Sequence, residues 1–163
     1  MPRSVSDQVV VIAGASTGIG RATALAFAAR GAKVVCAARS AQALDTLVAQ
    51  IRTDGGTAVA VPTDVAEPAQ VRALAELAEA QFGRIDTWVN AAAVSVWGRV
   101  EDITDAEFDR VMRVNFLGQV HGTHAALRAS GVRWQDSTTN WTGSAVGRRQ
   151  SKAPGRWPVS PTC

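Results

Sequence analysis

The chain has 163 residues, 47% of them hydrophobic and 19% charged, with a mean hydropathy of +0.03. This is the length and composition of one globular domain, and no apolar run approaches the roughly 18 residues that would suggest a membrane span. The formal charge of +3 is unevenly placed: residues 1–129 carry −1 and residues 130–163 carry +4. The main body therefore has no electrostatic footprint for nucleic acid, and five basic side chains without a folded platform do not make one. The N-terminal "MPRSVSDQ" has a single Arg followed by an Asp, which does not read as a signal peptide. Cys36 and Cys163 are too few for a disulfide framework, so the expected compartment is a reducing cytoplasm. His121 and His124 stand three apart with no partner ligand, so no metal site is expected.

Along residues 8–129, strand and helix patterns alternate. "VVVIAG" (9–14) is a short apolar run ending in glycine, which predicts a buried strand. Ile19, Ala22, Ala26 and Ala29 then form the expected apolar stripe of a first helix. "KVVCAAR" (33–39) predicts a second strand, and Leu44, Leu47, Val48 and Ile51 a second helix at i, i+3, i+4, i+7 spacing. "GGTAVAVPTD" (55–64) supplies a turn and a third strand. Val71, Leu74, Ala75, Ala78 and Phe82 mark a third helix closed by Gly83. "IDTWVNAA" (85–92) predicts a fourth strand. Thr104 and Glu107 have the spacing of a capping box, ahead of a long fourth helix that begins with Phe108, Val111 and Met112. Repeated β-α order implies a parallel sheet covered by helices on both faces.

Residues 130–163 read differently. They contain no Leu, Ile, Phe or Met, yet hold three of the five tryptophans, three prolines and nine Ser/Thr. Such a composition does not bury enough apolar surface to offset the entropy of ordering, so a disordered tail is expected there. The expected organisation is thus a dinucleotide-binding domain over 1–129 and a separate tail over 130–163.

The turn between the first strand and the first helix is glycine-rich, with Gly14, Gly18 and Gly20 spaced G-x-x-x-G-x-G. A loop of this kind sets backbone N–H groups and a helix N-terminus against an anion. At this point the sequence resembles the short-chain dehydrogenase/reductase family. "AGASTGIG" (13–20) is similar to the family's TGxxxGIG loop, with Ala13 in place of Thr. "TDV" (63–65) resembles the segment that contacts adenine. "IDTWVNAAAV" resembles the fourth strand that ends in NNAG, here altered to Asn90-Ala91-Ala92-Ala93. "VNFLG" (114–118) resembles the helix segment that carries the family's Asn. The resemblance covers about the first half of a usual member.

It implies a partial Rossmann-type doubly wound sheet of about four strands in the order 3-2-1-4. It also implies roles for particular residues. Gly14, Ser16, Thr17, Gly18, Ile19 and Gly20 would surround the pyrophosphate and adjoining ribose. Arg39 would pair with a 2′-phosphate, since Ala38 stands where NAD-preferring members have an acid, so the expected cofactor is NADP rather than NAD. Asp64 would accept from the adenine amino group, with Val65 making a backbone contact beside it. Asn90, Ala91 and Ala92 would line the crevice, and Asn115 would help hold a water linked to the catalytic Lys.

The family moves hydride between nicotinamide and a carbonyl or alcohol carbon, with Tyr as general acid or base and Lys beside it in a YxxxK motif. This sequence contains no tyrosine. "RRQSK" (148–152) places an Arg where the Tyr would be, and Arg does not shuttle a proton. The expectation is an oxidoreductase lineage whose chain is truncated before the catalytic motif. Two alternatives stand beside it: an inactive nucleotide-binding remnant, and an interaction fragment that pairs with an intact homologue through the fourth helix.

Overall fold

The computed structural model describes residues 3–129. Expectations that fall on 130–163, including the disordered tail and the "RRQSK" segment, lie outside the described residues. Four parallel strands form one sheet: β1 (Val9–Ala13), β2 (Lys33–Ala38), β3 (Thr57–Pro62) and β4 (Thr87–Asn90). Their order is β3-β2-β1-β4, as the resemblance implies. Helices α1 (Gly18–Ala28), α2 (Ala41–Thr53) and α3 (Pro68–Phe82) make the crossovers. Beyond β4 the chain runs through a short turn (Val100–Asp102) into α4 (Asp105–Met112), a π-helical turn (Arg113–Leu117) and α5 (Gly118–Ala129). The long fourth helix of the sequence reading is therefore interrupted at its middle, around Asn115.

Strand side chains alternate between the two faces. Val10, Ile12, Val34 and Cys36 pack with Leu44, Leu47 and Ile51 of α2 on one side. Val11, Ala13, Val35 and Ala37 pack with Val71, Leu74 and Ala78 of α3 and with Ala125 of α5 on the other. Both faces of β1 and β2 are thus covered, and their runs of consecutive apolar residues are fully buried, as central parallel strands require. Burial pushes the Cys36 thiol up to about 12.

The stripes expected for α2 and α3 are the buried ones. That of α1 is not. Ile19, Ala22, Ala26 and Ala29 face solvent, with Ile19 83% exposed, and the buried positions are Gly20, Ala24 and Ala28. α1 starts against the glycine loop, where a Cβ on Gly20 would overlap the Gly14 carbonyl, and Ala24 and Ala28 pack into the core beside β1, β2 and α2. An alanine-rich helix gives little hydrophobic contrast to reveal that phase. The capping box forms as expected: the Thr104 hydroxyl accepts from the Glu107 amide, and Glu107 accepts from the Thr104 amide at 2.9 Å. Among the described residues, no helix is long and apolar enough to cross a membrane.

Candidate nucleotide-binding site

The strands end in a common cleft at their carboxyl edge, where open parallel sheets bind ligands. Its first wall is the β1–α1 loop. The Ala37 carbonyl of β2 accepts from both Gly14 N (2.7 Å) and Ala15 N (2.9 Å). Gly14 has φ +99°, and a Cβ there would overlap the backbone of Ala91 and Ala92. A Cβ on Gly20 would overlap the Gly14 carbonyl. The loop, the start of α1 and the segment after β4 thus touch backbone to backbone. Thr17 precedes α1 in extended conformation without a side-chain capping bond. The first N–H groups of the helix therefore have no cap from that side chain, which suits an anion.

A cavity of about 460 Å³ opens at this edge, within the usual range of about 300–1,000 Å³ for ligand pockets. Eleven of the thirteen expected site residues line it: Gly14, Ser16, Thr17, Gly18, Ile19, Gly20, Arg39, Asp64, Val65, Ala91 and Ala92. The wall also includes Thr63, Val94, Arg110 and Val114, which the sequence reading did not single out. Asn90 and Asn115 stand behind the lining. Asn90 accepts from the Trp88 indole N–H at 2.8 Å, and its amide donates to the Gln119 carbonyl at 3.4 Å. Asn115 makes a reciprocal pair with Val94, accepting from its N–H at 2.9 Å and donating to its carbonyl at 2.8 Å. Both Asn side chains hold backbone in place rather than face the cavity.

Asp64 is the best-connected polar group of the cleft. Its Oδ1 accepts from Ala66 N at 3.0 Å. Arg110 Nη2 reaches both carboxylate oxygens, Oδ2 at 2.9 Å and Oδ1 at 3.2 Å. Burial alone would raise this carboxyl, but the Ala66 amide, the Arg110 guanidinium and the nearby Arg39 charge together hold it below the usual carboxylate range. Arg110 carried no signal in the sequence: its partner lies 46 residues away, on another element. Among the described residues there is no group of three or more His, Cys, Asp or Glu arranged to hold a metal.

An anion cradle at the head of α1, a cation at Arg39 and an acceptor at Asp64, set around one cleft of a parallel α/β layer, define a nucleotide-binding class of protein. The family follows from comparison with known proteins. The family model for short chain dehydrogenase matches residues 8–136, and the chain belongs to that family. An uncharacterized oxidoreductase of Bacillus subtilis, YxnA, is 46% identical over 126 residues, covering 77% of this chain and 35% of the relative. Versicolorin reductase stcU of Emericella nidulans is 39% identical over 125 residues, covering 76% and 47%. The crystal structure of a short chain dehydrogenase/reductase from Burkholderia phymatum in complex with NAD superposes with a TM-score of 0.76 at 34% identity, covering 78% of this chain and 46% of that one. The chain thus spans half or less of the length of these relatives.

Proposed function

We propose that residues 1–129 form a dinucleotide-binding domain that takes NADP(H) in this cleft, within an oxidoreductase lineage acting on carbonyl or alcohol substrates. The observation that carries the reading is the convergence of the Gly14–Gly20 loop, Arg39 and Asp64 on one cavity. The residues present fit such a cofactor. Loop amides and the head of α1 would hold the pyrophosphate, Arg39 the 2′-phosphate, and Asp64 the adenine amino group, with the Val65 backbone beside it. Ala91 and Ala92 would shape the floor, and Asn90 behind them would fix the end of β4. Bound there, the dinucleotide would donate or accept hydride at the substrate carbon.

The proton is a separate matter. Carbonyl reduction builds alkoxide character that needs a proton donor, and general acid catalysis typically contributes about 10²–10⁴-fold. The sequence holds no tyrosine. Asn115 is committed to Val94 by both of its polar groups and acts as a positioning residue there. His121 is held on the Val65 carbonyl at 3.0 Å, on the adenine side of the reading. The expected behaviour is nucleotide binding without turnover. Phe108, Met112, Phe116 and Leu117, all 40% or more exposed, favour association through α4 and the π-helical turn as a secondary property.

Titration calorimetry with NADPH and NADH tests the reading. NADPH should bind more tightly, and Arg39→Asp should reduce or reverse the preference; an unchanged ratio removes Arg39 from the site. Oxidation of NADPH with reactive diketones and aldehydes tests the second half. The chain should show no activity above background, whereas a chimera whose residues after 129 come from an intact relative should turn over. Turnover by the chain itself, abolished by Gly18→Asp, would place a proton donor among its own residues.

A further inference from the structure

Among the described residues β3 is an edge strand, with β2 on one side and no strand on the other. A parallel strand turns the N–H and C=O groups of alternate residues to opposite sides. Thr63 N donates to the Ala38 carbonyl of β2 at 2.8 Å, while Ala38 and Pro62 are register partners. Thr57, Val59 and Val61 therefore turn their backbone groups inward to β2, and Ala58, Ala60 and Pro62 turn theirs outward. An outward row of this kind is a template for a further strand. The strand reads TAVAVP and carries no charged side chain of its own to repel one.

Two features interrupt the row. Arg52, in the last turn of α2, donates to the outward Ala58 carbonyl through both Nε at 3.2 Å and Nη2 at 2.9 Å. A carbonyl oxygen has two lone pairs, so the guanidinium fills its acceptor capacity. At the other end Pro62 has no N–H to give. Between them Ala60 is the one residue of the row with both an N–H and an unclaimed carbonyl facing out. We infer that Arg52 closes the β3 edge to a second copy of this chain, whose own β3 would otherwise pair with it about a two-fold axis.

The spacing of the outward groups selects this partner. In an antiparallel register centred on Val59, Ala58 of each copy faces Ala60 of the other, and the two pairs exchange four hydrogen bonds. Two of those four end on the Ala58 carbonyls that Arg52 fills. In a register centred on Ala60, Ala58 faces Pro62, and the donor its carbonyl needs is missing. A second copy would also bring two guanidinium groups to one short seam, where like charges repel. Arg52, Ala58 and Ala60 stand apart from the residues that line the nucleotide cavity, so the inference does not depend on what that cavity holds.

The experiment is sedimentation velocity on the full chain across a concentration series, with amide exchange at Ala58 and Ala60 followed by NMR on the same samples. Arg52→Met keeps the apolar stem and removes the charge and every donor. It should associate roughly tenfold more strongly than the unsubstituted chain, the weight of one or two net hydrogen bonds. Exchange at Ala58 and Ala60 should slow as concentration rises, because their outward amides become paired. Adding Pro62→Ala restores a donor to the row and should strengthen both effects. Arg52→Gln is uncharged but can still give the carbonyl one bond, so its gain should be smaller; it carries the same test should Arg52→Met not fold. Arg72→Met, which removes an exposed charge from α3, should behave as the unsubstituted chain does. Association through α4 would change sedimentation without slowing the Ala58 and Ala60 amides. The inference is overturned if no folded Arg52 variant associates more strongly, if the added association leaves those two amides unchanged, or if Arg72→Met matches Arg52→Met.

Discussion

Residues 9–82 bury Leu44, Leu47, Ile51 and Leu74 to 1% exposure or less, whereas α4 buries none of its residues and leaves Phe108 48% and Met112 55% exposed. The strands differ in the same sense: β1 is buried throughout, and β4 is only half-buried along its length. Burying such a side chain contributes about 1.5–3 kcal/mol, so the first region has its own hydrophobic support. The second region is held more by directed polar contacts: the capping box at Thr104, the Asn115–Val94 pair, and the two Arg bridges to the loop after β3. The contrast teaches that the glycine loop stands on the well-packed part, while the floor of the cleft depends on the less covered one. In parallel sheets an uncovered edge is also a template for association.

Core truncation probes this contrast most strongly. Leu74→Ala should cost about 2–5 kcal/mol in urea unfolding, against about 0.5 kcal/mol or less for Met112→Ala. Equal losses would mean that α4 is packed as tightly as α3. Native-state hydrogen exchange sharpens the same point, with β1 and β2 amides expected to be the slowest and β4 and α4 among the fastest.

A somewhat smaller effect is expected at Asp86, just before β4, which ties the two regions together. Its Oδ2 accepts from Val9 N at 2.8 Å and from Arg84 Nε at 2.8 Å, and Arg3 lies 3.3 Å from Oδ1. Burial pushes this carboxyl up, but the Val9 amide and the Arg84 and Arg3 charges outweigh it, so the net shift is downward. A depressed folded-state value stabilises the fold above the unfolded value of about 3.9 and is lost as pH falls through the folded one. Asp86→Asn should cost about 1.5–3 kcal/mol near neutrality. It should also flatten the loss of stability below about pH 4, which thermal melts across pH will show.

Thr104→Ala should cost about 1 kcal/mol and speed exchange in the first turn of α4 while leaving β1 and α2 untouched. The smallest effect is a null one. Cys36, buried and raised to about 12, should resist thiol reagents in the folded chain and react only on unfolding.

The fold was legible where the sequence carries contrast. Leu44, Leu47, Val48 and Ile51 stand out from Gln, Asp and Thr, and their buried stripe could be read directly. The phase of α1 was not legible, because Ala24 and Ala28 differ from Ala22 and Ala26 only in what lies beneath them. The cleft was legible from the glycines, whose spacing after an apolar run marks a βα turn, and from "TDV" through its resemblance to the family's segment. Arg110 was not, because a salt bridge across elements leaves no periodic trace. At the π-helical turn the Asn115 side chain bonds the Val94 backbone, a pairing again outside the reach of spacing.

One carbonyl has a consequence for affinity. The Ala37 oxygen of β2 takes both the Gly14 and Ala15 amides, so the β1–α1 loop is anchored by its neighbour strand before any ligand arrives. Ordering a loop on binding would subtract from affinity about 1–2 kcal/mol for each residue frozen. Gly14 and Ala15, already held by the sheet, would carry no such cost when a ligand docks beside them.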